Sequence, residues 1–323
     1  MSGTPTSARP AAGASPVAAG LLLGALGDAL LGDPRRGHPV AAFGRLATAL
    51  EHRWWRPSRP AGAAYAGALV AGAAAAGAAA GRLARTPASR TAVTAVATWA
   101  VLGGRSLGRE ATSLADALDR GDLAAARAAL PSLCGRDPHA LDAAELARAA
   151  AESVAENTAD AVVAPLFWGA VAGPAGLLGY RAVNTLDAMV GHRCARYERF
   201  GWAAARLDDA ASWLPARLTA AVTATLSPVV GGSPTRTWRS ALRYGGAHPS
   251  PNSGRCEAAF AGALGVRFGG TNVYAGRVEH RPTLGTGRAP RPGDVRRAVL
   301  LSSAVGAAAA LLAAAAALAA GAA

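Results

Sequence analysis

The apolar positions of this chain come in long runs, not at the two-residue or 3.6-residue spacing of a water-soluble domain. Residues 17–31 are apolar apart from Asp28 and end at Gly32-Asp33-Pro34. Residues 61–81 are uninterrupted and uncharged, about 30 Å of helix, the thickness of a bilayer core. Further runs cover 91–104 and the Ala-rich 298–323. Two others are broken. The run 162–180 contains Pro165 and Gly173-Pro174, and 214–230 contains Pro215, Arg217 and Pro228.

The polar stretches predict the remaining elements. Residues 1–16, rich in Ser, Thr, Pro and Ala, read as a disordered tail. Arg35, Arg36, Arg45, Arg53, Arg56 and Arg59 lie beside Trp54 and Trp55, as in an interfacial loop or a helix lying on a membrane face. Residues 105–160 read as charged, water-facing helices broken at Gly121, Pro131 and Asp137-Pro138, and 231–296 as irregular loops with short helices. No alternating strand pattern and no internal repeat is legible. The expected fold is all-α: a multi-pass integral membrane protein with a large cytosol-facing helical and loop region. Its parts are a tail (1–16), N-terminal membrane segments with an Arg-rich loop (17–104), a helical catalytic region holding both broken runs (105–297) and a C-terminal membrane helix (298–323).

Charge refines this picture. The net charge is +13, and every cation is Arg because the chain has no Lys. The Ala-Arg bias points to a GC-rich genome. Nucleic acid is not the expected partner, since no compact basic stripe is interleaved with aromatics. Loop arginines flanking apolar runs fit the positive-inside pattern, and their distribution favours four spans with both broken runs re-entrant or packed against protein, which keeps 105–297 inside. Cys134, Cys194 and Cys256 lie about sixty residues apart without a CxxC or Cys/His cluster, and read as free thiols facing a reducing compartment.

Candidate chemistry concentrates between Glu152 and Asp187. Glu152, Glu156 and Asp160 follow one another at i, i+4, i+8 and fall within about 80° on one helix face, with Asn157 alongside. Oxygen ligands at that spacing suit Mg²⁺ shared with phosphates; a solvated helix face is the plainer alternative. Asn184 and Asp187 are i, i+3 with Arg181 one turn earlier, a pair fit to orient a substrate amide or ligate a metal, or else a helix-start cap at Asn184 or Thr185. Asp208-Asp209 with Arg206 and Arg217 reads either as chemistry or as a surface network. His38, beyond Asp33, is compatible with a membrane-exit turn. The loop 249–254, with Asn252 and with Glu257 just beyond, offers backbone N–H groups to an anion. Walker A, GxSxG, HExxH and GxGxxG motifs are absent, so any ATP is held without a P-loop.

Five blocks, taken in order, carry a family resemblance: GDALLGDPRRGHPV, ESVAENTADAVVAPLFW, GYRAVNTLDAMVGHR, YERFGWAAARLDDAASWLPARL and SPNSGRCEAAFAGALGVRFGG. On them the chain resembles the CobD/CbiB family of adenosylcobinamide-phosphate synthases, a likeness that covers roughly residues 20–310. It departs from the family pattern at His192, where an aromatic is frequent, and at Arg255-Cys256, where Trp-Pro is frequent. The resemblance implies a ligase of cobalamin biosynthesis at the cell membrane, with its active region cytoplasmic. Such an enzyme joins aminopropanol, or its O-phosphate, to the propionate carboxylate of adenosylcobyric acid as an amide. It further implies Mg²⁺ and ATP, a corrinoid substrate, membrane lipid around the spans and other late cobalamin-pathway enzymes as neighbours. In that reading Glu152, Glu156 and Asp160 hold the metal, and Asp187 or Asp208, with Asn184, serves the amine attack. Arg181 and Arg206 grip phosphate, and Asn157, His38, Asn252 and Glu257 complete substrate binding. The rival reading is a polytopic transporter with an acidic intramembrane site, which would call for symmetric halves. An alcohol phosphotransferase would show a compact Asp-rich repeat that this chain lacks.

Overall fold

The computed structural model describes residues 15–33, 37–192, 194–274 and 277–322. The tail expected over 1–16 therefore lies outside the described residues up to position 14, as do Arg35, Arg36 and Arg193. Helices α1 (Pro16–Leu31), α2 (Pro39–Trp54), α3 (Arg59–Leu83) and α4 (Pro87–Val101) share one mode of initiation. Each has Pro in its first turn, and the side chain of Ser15, His38, Ser58 or Thr86 accepts a backbone N–H at its N-cap. Proline costs nothing there because the first N–H groups of a helix lack intrahelical partners. Helices α5 (Gly104–Asp119), α6 (Leu123–Ala129) and α7 (Ala143–Thr158) break where Gly121, Pro131 and Asp137-Pro138 predict. Then come α8 (Ala164–Leu186), α9 (Trp202–Ala211), α10 (Trp213–Leu226), α11 (Pro234–Tyr244) and α12 (Ser253–Leu264). Strands β1 (Phe268–Tyr274) and β2 (Arg277–Leu284) precede the last helix, α13 (Pro292–Ala322).

The fold is mostly helical, but the all-α expectation needs one correction. Residues 231–296 are not irregular: they hold α11, α12 and an antiparallel β1–β2 hairpin. Among the described side chains its buried apolar anchors are Phe268 and Leu284 at its ends, and a bulge between Phe268 and Gly270 interrupts the register. A strand pair with so few apolar positions and a glycine bulge has no alternating signature to read.

The segment from Ala143 to Gly191 is continuous helix by its hydrogen bonds and is apolar over a long stretch. It is nevertheless doubled back on itself. Ala172 (φ −137°, ψ 18°) and Gly173 (φ +56°, ψ −141°) leave the helical region, and Pro174 follows. Trp168 Nε1 donates to the Ala211 carbonyl at 3.0 Å, and Tyr180 Oη meets Ser212 Oγ at 3.0 Å. In a straight helix residues 168 and 180 would stand about 18 Å apart; here they reach consecutive residues. The turn is clamped from outside, because Gly77 of α3 lies against the Pro174 backbone and Gly169 against Leu21 of α1. The broken run is thus a helical hairpin with its apex at Gly173-Pro174. Between Asp160 and Asp187 each arm is about 20 Å long, less than a 30 Å hydrocarbon core.

Three helical segments, Arg59–Leu83, Ala143–Gly191 and Pro292–Gly321, are long and apolar enough to cross a membrane; the hairpin bend divides the second. The main core gathers α5, α7, α12 and α13 around Leu114, Leu146, Phe260 and Leu301, and a smaller one joins Tyr65, Leu186 and Phe200. The apex contact gives a direct test. Gly77→Val drives a side chain into the Pro174 backbone, which cannot swing aside, and is expected to destabilise the protein by about 1–3 kcal/mol. Gly72→Val on the same helix, where nothing lies within 4 Å, is the control. Thermal unfolding in detergent compares the two, and equal melting temperatures would remove the clamp.

Candidate active site

The hairpin brings both polar ends of the broken run to one place. Asp160 lies on the outgoing arm and Asp187 at the end of the return arm, yet Asp160 is within Coulombic reach of Asp187, Asp208, Glu156 and Arg181. Both aspartates sit in π-turns, Ala159–Val163 and Asp187–Gly191. A π-turn holds an extra residue, so it rotates the residues beyond it by about 100° relative to an unbroken α-helix. The i, i+4, i+8 face read from the sequence therefore holds for Glu152 and Glu156 and is interrupted at Asp160. Asn184 and Thr185 lie inside α8, so neither caps a helix.

Helix α9 supplies the third carboxylate. Asp208 is half-buried, and desolvation together with the charge of Asp187 pushes its pKa up to about 7; Asp209 and Glu156 add to the rise, against a hydrogen bond from Asn184. Arg181 Nη1 donates to Asn184 Oδ1 at 3.4 Å, so Arg181, Asn184 and Asp208 form a chain of contacts. Asp208 Oδ1 and Arg181 Nε are buried atoms without hydrogen-bond partners, the condition of groups left open for a ligand. Arg181 is also within reach of Asp33, which brings the first sequence block to the same site. His38 itself is spent locally: its Nδ1 accepts Val40 N–H, and its Nε2 lies 3.6 Å from Asp33.

Glu152 belongs elsewhere. One carboxylate oxygen accepts from Arg136 Nη2 at 2.7 Å and the other from Gly269 N at 2.6 Å, with Arg148 Nη1 3.7 Å away. Arg148 also donates to the Gly269 carbonyl, so the residue at the β-bulge (φ +85°) is held through both its N–H and its C=O. Glu152 is the pin that fastens the strand pair to α7, and both its oxygens are engaged. Asn157 likewise turns back onto its own helix, donating to Ser153.

The loop before α12 closes the site. Ser253 Oγ donates to Glu156 Oε1 at 2.8 Å. Asn252 is a clasp: its amide donates to the Asp209 carbonyl at 2.8 Å, and its oxygen accepts from Arg217 at 3.2 Å. The N–H groups of Ser250, Asn252 and Ser253 are satisfied by His248 Nδ1 and Ser250 Oγ, so this loop is not an open anion cradle. Glu257 is buried 3.7 Å from His248; desolvation and the neighbouring Glu152 and Glu156 raise its pKa well above the carboxylate range, towards the neutral acid. Arg206 is exposed and pairs with Asp209 at 3.3 Å on the rim. Cys256 is buried, which pushes its thiol pKa up and leaves it unreactive, and all three described cysteines are free.

Four acids therefore converge, Glu156, Asp160, Asp187 and Asp208, with Asn184 and Arg181 among them. Among the described residues no three His, Cys, Asp or Glu side chains form a cage for one metal ion. Mg²⁺ commonly takes one or two carboxylates and completes its shell with water and substrate phosphate. Clustered acids with an orphaned buried oxygen fit that shared mode, not a closed protein cage. Arg136 and Arg148 escaped the sequence reading, which took Ser253 only as part of the 249–254 loop and not as a partner of Glu156. Only Arg148, one turn before Glu152, carried a spacing signal.

A family model described as CobD/Cbib protein matches residues 21–302. The chain belongs to the CobD/CbiB family. It is 55% identical over 288 residues to a cobalamin biosynthesis protein CobD of Mycobacterium tuberculosis, covering 89% of this chain and 92% of that one. A Rhodobacter capsulatus protein of the same name is 41% identical over 293 residues, covering 88% of this chain and 92% of its own. One from Geobacter metallireducens is 44% identical over 271, covering 82% and 85%. No solved structure matches the chain. The family match spans all five sequence blocks, and so takes in every acid of the cluster.

Proposed function

We propose that this protein acts in cobalamin biosynthesis as an amide-forming ligase, joining aminopropanol or its O-phosphate to the propionate carboxylate of adenosylcobyric acid. The observation that carries this reading is the meeting of Glu156, Asp160, Asp187 and Asp208 at the open end of the hairpin, in a chain of the CobD/CbiB family. A carboxylate resists attack by an amine at neutral pH. In this reading ATP would supply its activation, leaving as ADP and phosphate, and Glu156 and Asp160 would hold Mg²⁺, which would supply charge neutralisation.

The chain's own residues have distinct tasks. An attacking amine enters as an ammonium and must lose a proton. Asp208, titrating near neutrality, is matched to take it at its unpartnered Oδ1. Asn184 orients that carboxylate, and Ser253 fixes Glu156. Arg181 presents an unsatisfied guanidinium N–H for the substrate's anionic group, and Arg206 guards the rim. Both polar ends of the hairpin then face one compartment, the cytoplasm. The hairpin alone does not separate an enzyme from a transporter, since re-entrant elements serve both; the names of the relatives favour the biosynthetic reading.

Membranes containing the protein, incubated with adenosylcobyric acid, aminopropanol phosphate and Mg-ATP, are expected to yield the amide by mass spectrometry. Replacing the phosphate ester by free aminopropanol identifies the amine accepted. No mass shift with either amine, beside an active control enzyme, would sink the assignment.

A further inference from the structure

Helix α11 carries Arg236, Arg239 and Arg243 at i, i+3, i+7, a spacing that lines them along one stripe. All three are exposed, and none forms an ion pair with a described carboxylate. They open onto a cleft of about 580 Å³, within the size range of small-molecule sites. Its far wall is backbone-rich, from Gly262 and Gly265 on α12 to Gly285 and Gly287 beyond β2. Glycine is needed there. A side chain at Gly262 would strike Ser240 and Thr237 of α11, and one at Gly287 would strike the Gly265 backbone. The two walls close up only because those side chains are missing, and the arginines are left on the rim. Ser233, at the start of α11, makes no side-chain cap hydrogen bond, and Thr235 and Thr286 add hydroxyls. No carboxylate lines the cleft among the described residues.

We propose that this cleft binds the phosphate chain of a soluble polyphosphate ligand. Three guanidinium groups on one helix stripe match the three to four negative charges of a triphosphate, and their planar forks suit its oxygens bidentately. A single phosphate would leave at least one arginine unanswered. The cleft is separate from the acid cluster: Gly262 lies about 14 Å along α12 from Ser253, which holds Glu156 of that cluster. Phospholipid headgroups share the same oxyanion chemistry, and Trp238 and Leu242 are exposed on the adjacent stripe of α11. The arginines, however, turn from that stripe into a concavity, which selects a compact soluble anion.

Binding is measured on the full-length protein in neutral detergent, by calorimetric titration with inorganic tripolyphosphate and without corrinoid or amine. One saturable site is expected, weakened at least 10-fold in the R236Q/R239Q/R243Q variant and unchanged in Arg109→Gln on α5. Equal affinity in the triple variant, or no saturable site in the wild type, overturns the proposal. A third arm adds phosphatidylglycerol to the micelles. Lipid binding that depends on these arginines without tripolyphosphate saturation assigns them to headgroups and likewise overturns it. The inference does not rest on amide synthesis: a protein that makes no amide yet holds tripolyphosphate through these arginines removes the earlier reading and leaves this one.

Discussion

Asp208→Asn lowers the rate of amide formation by about 100-fold or more, the usual size of a general-base contribution. The same substitution raises the melting temperature at pH 8. An unfolded aspartate ionises near 3.8, whereas Asp208 in the fold does so at about 7, because desolvation and Asp187 disfavour its charge. Between those values the folded protein keeps a proton that the unfolded chain has released. Its contribution to stability is therefore complete below pH 4, declines as pH rises and is lost once pH passes 7. Asparagine carries no such charge and escapes the loss. The wild-type rate climbs as pH rises through 7, when the base deprotonates, and that limb vanishes in the variant. Rate and melting temperature moving in opposite directions mark a group held for chemistry against the interest of the fold. If both fell together, or the rate did not change, Asp208 would not be the base.

Glu152→Ala destabilises the protein by about 3–5 kcal/mol, the range for breaking a buried ion pair by deleting one partner. Arg136 and Glu152 are 5% and 7% exposed, with 2.7 Å between donor and acceptor. The deletion also strips the Gly269 N–H of its acceptor and removes the nearby charge from Arg148. Glu152→Gln should cost less, since it keeps a carbonyl for Gly269. Denaturant unfolding in micelles reads the difference, and residual activity is titrated with Mg²⁺ in parallel. A pin for the strand pair predicts lower stability with an unchanged Mg²⁺ requirement. A raised Mg²⁺ requirement at undiminished stability would return Glu152 to the metal site.

These two residues show where sequence reasoning stopped. Glu152, Glu156 and Asp160 look equivalent on paper, because an i, i+4, i+8 series says which face they share and nothing about what faces them. The first meets Arg136 across a loop and the β-bulge at Gly269; the second meets Ser253, 97 positions away. The third has been turned by a π-turn that no composition announces. The β1–β2 hairpin was invisible for a related reason: among the described residues it is held by Phe268 and Leu284 at its ends and by Glu152 on α7, contacts that no local alternation announces.

Local pattern along the chain was enough for the helical character, the breaks at Gly121, Pro131 and Asp137-Pro138, and family membership. These depend on local conformational preference or on order along the chain, which a sequence carries directly. The same pattern marked 162–180 as a run unlike a plain span, because Gly173-Pro174 cannot continue a helix. It took three-dimensional packing to make that break a full reversal clamped by Gly77, to bring Asp160 and Asp187 together, and to add Asp208 to them while leaving Glu152 out. Those outcomes depend on close approach between segments far apart in the chain and on the desolvation that accompanies it, and neither quantity is written in local pattern.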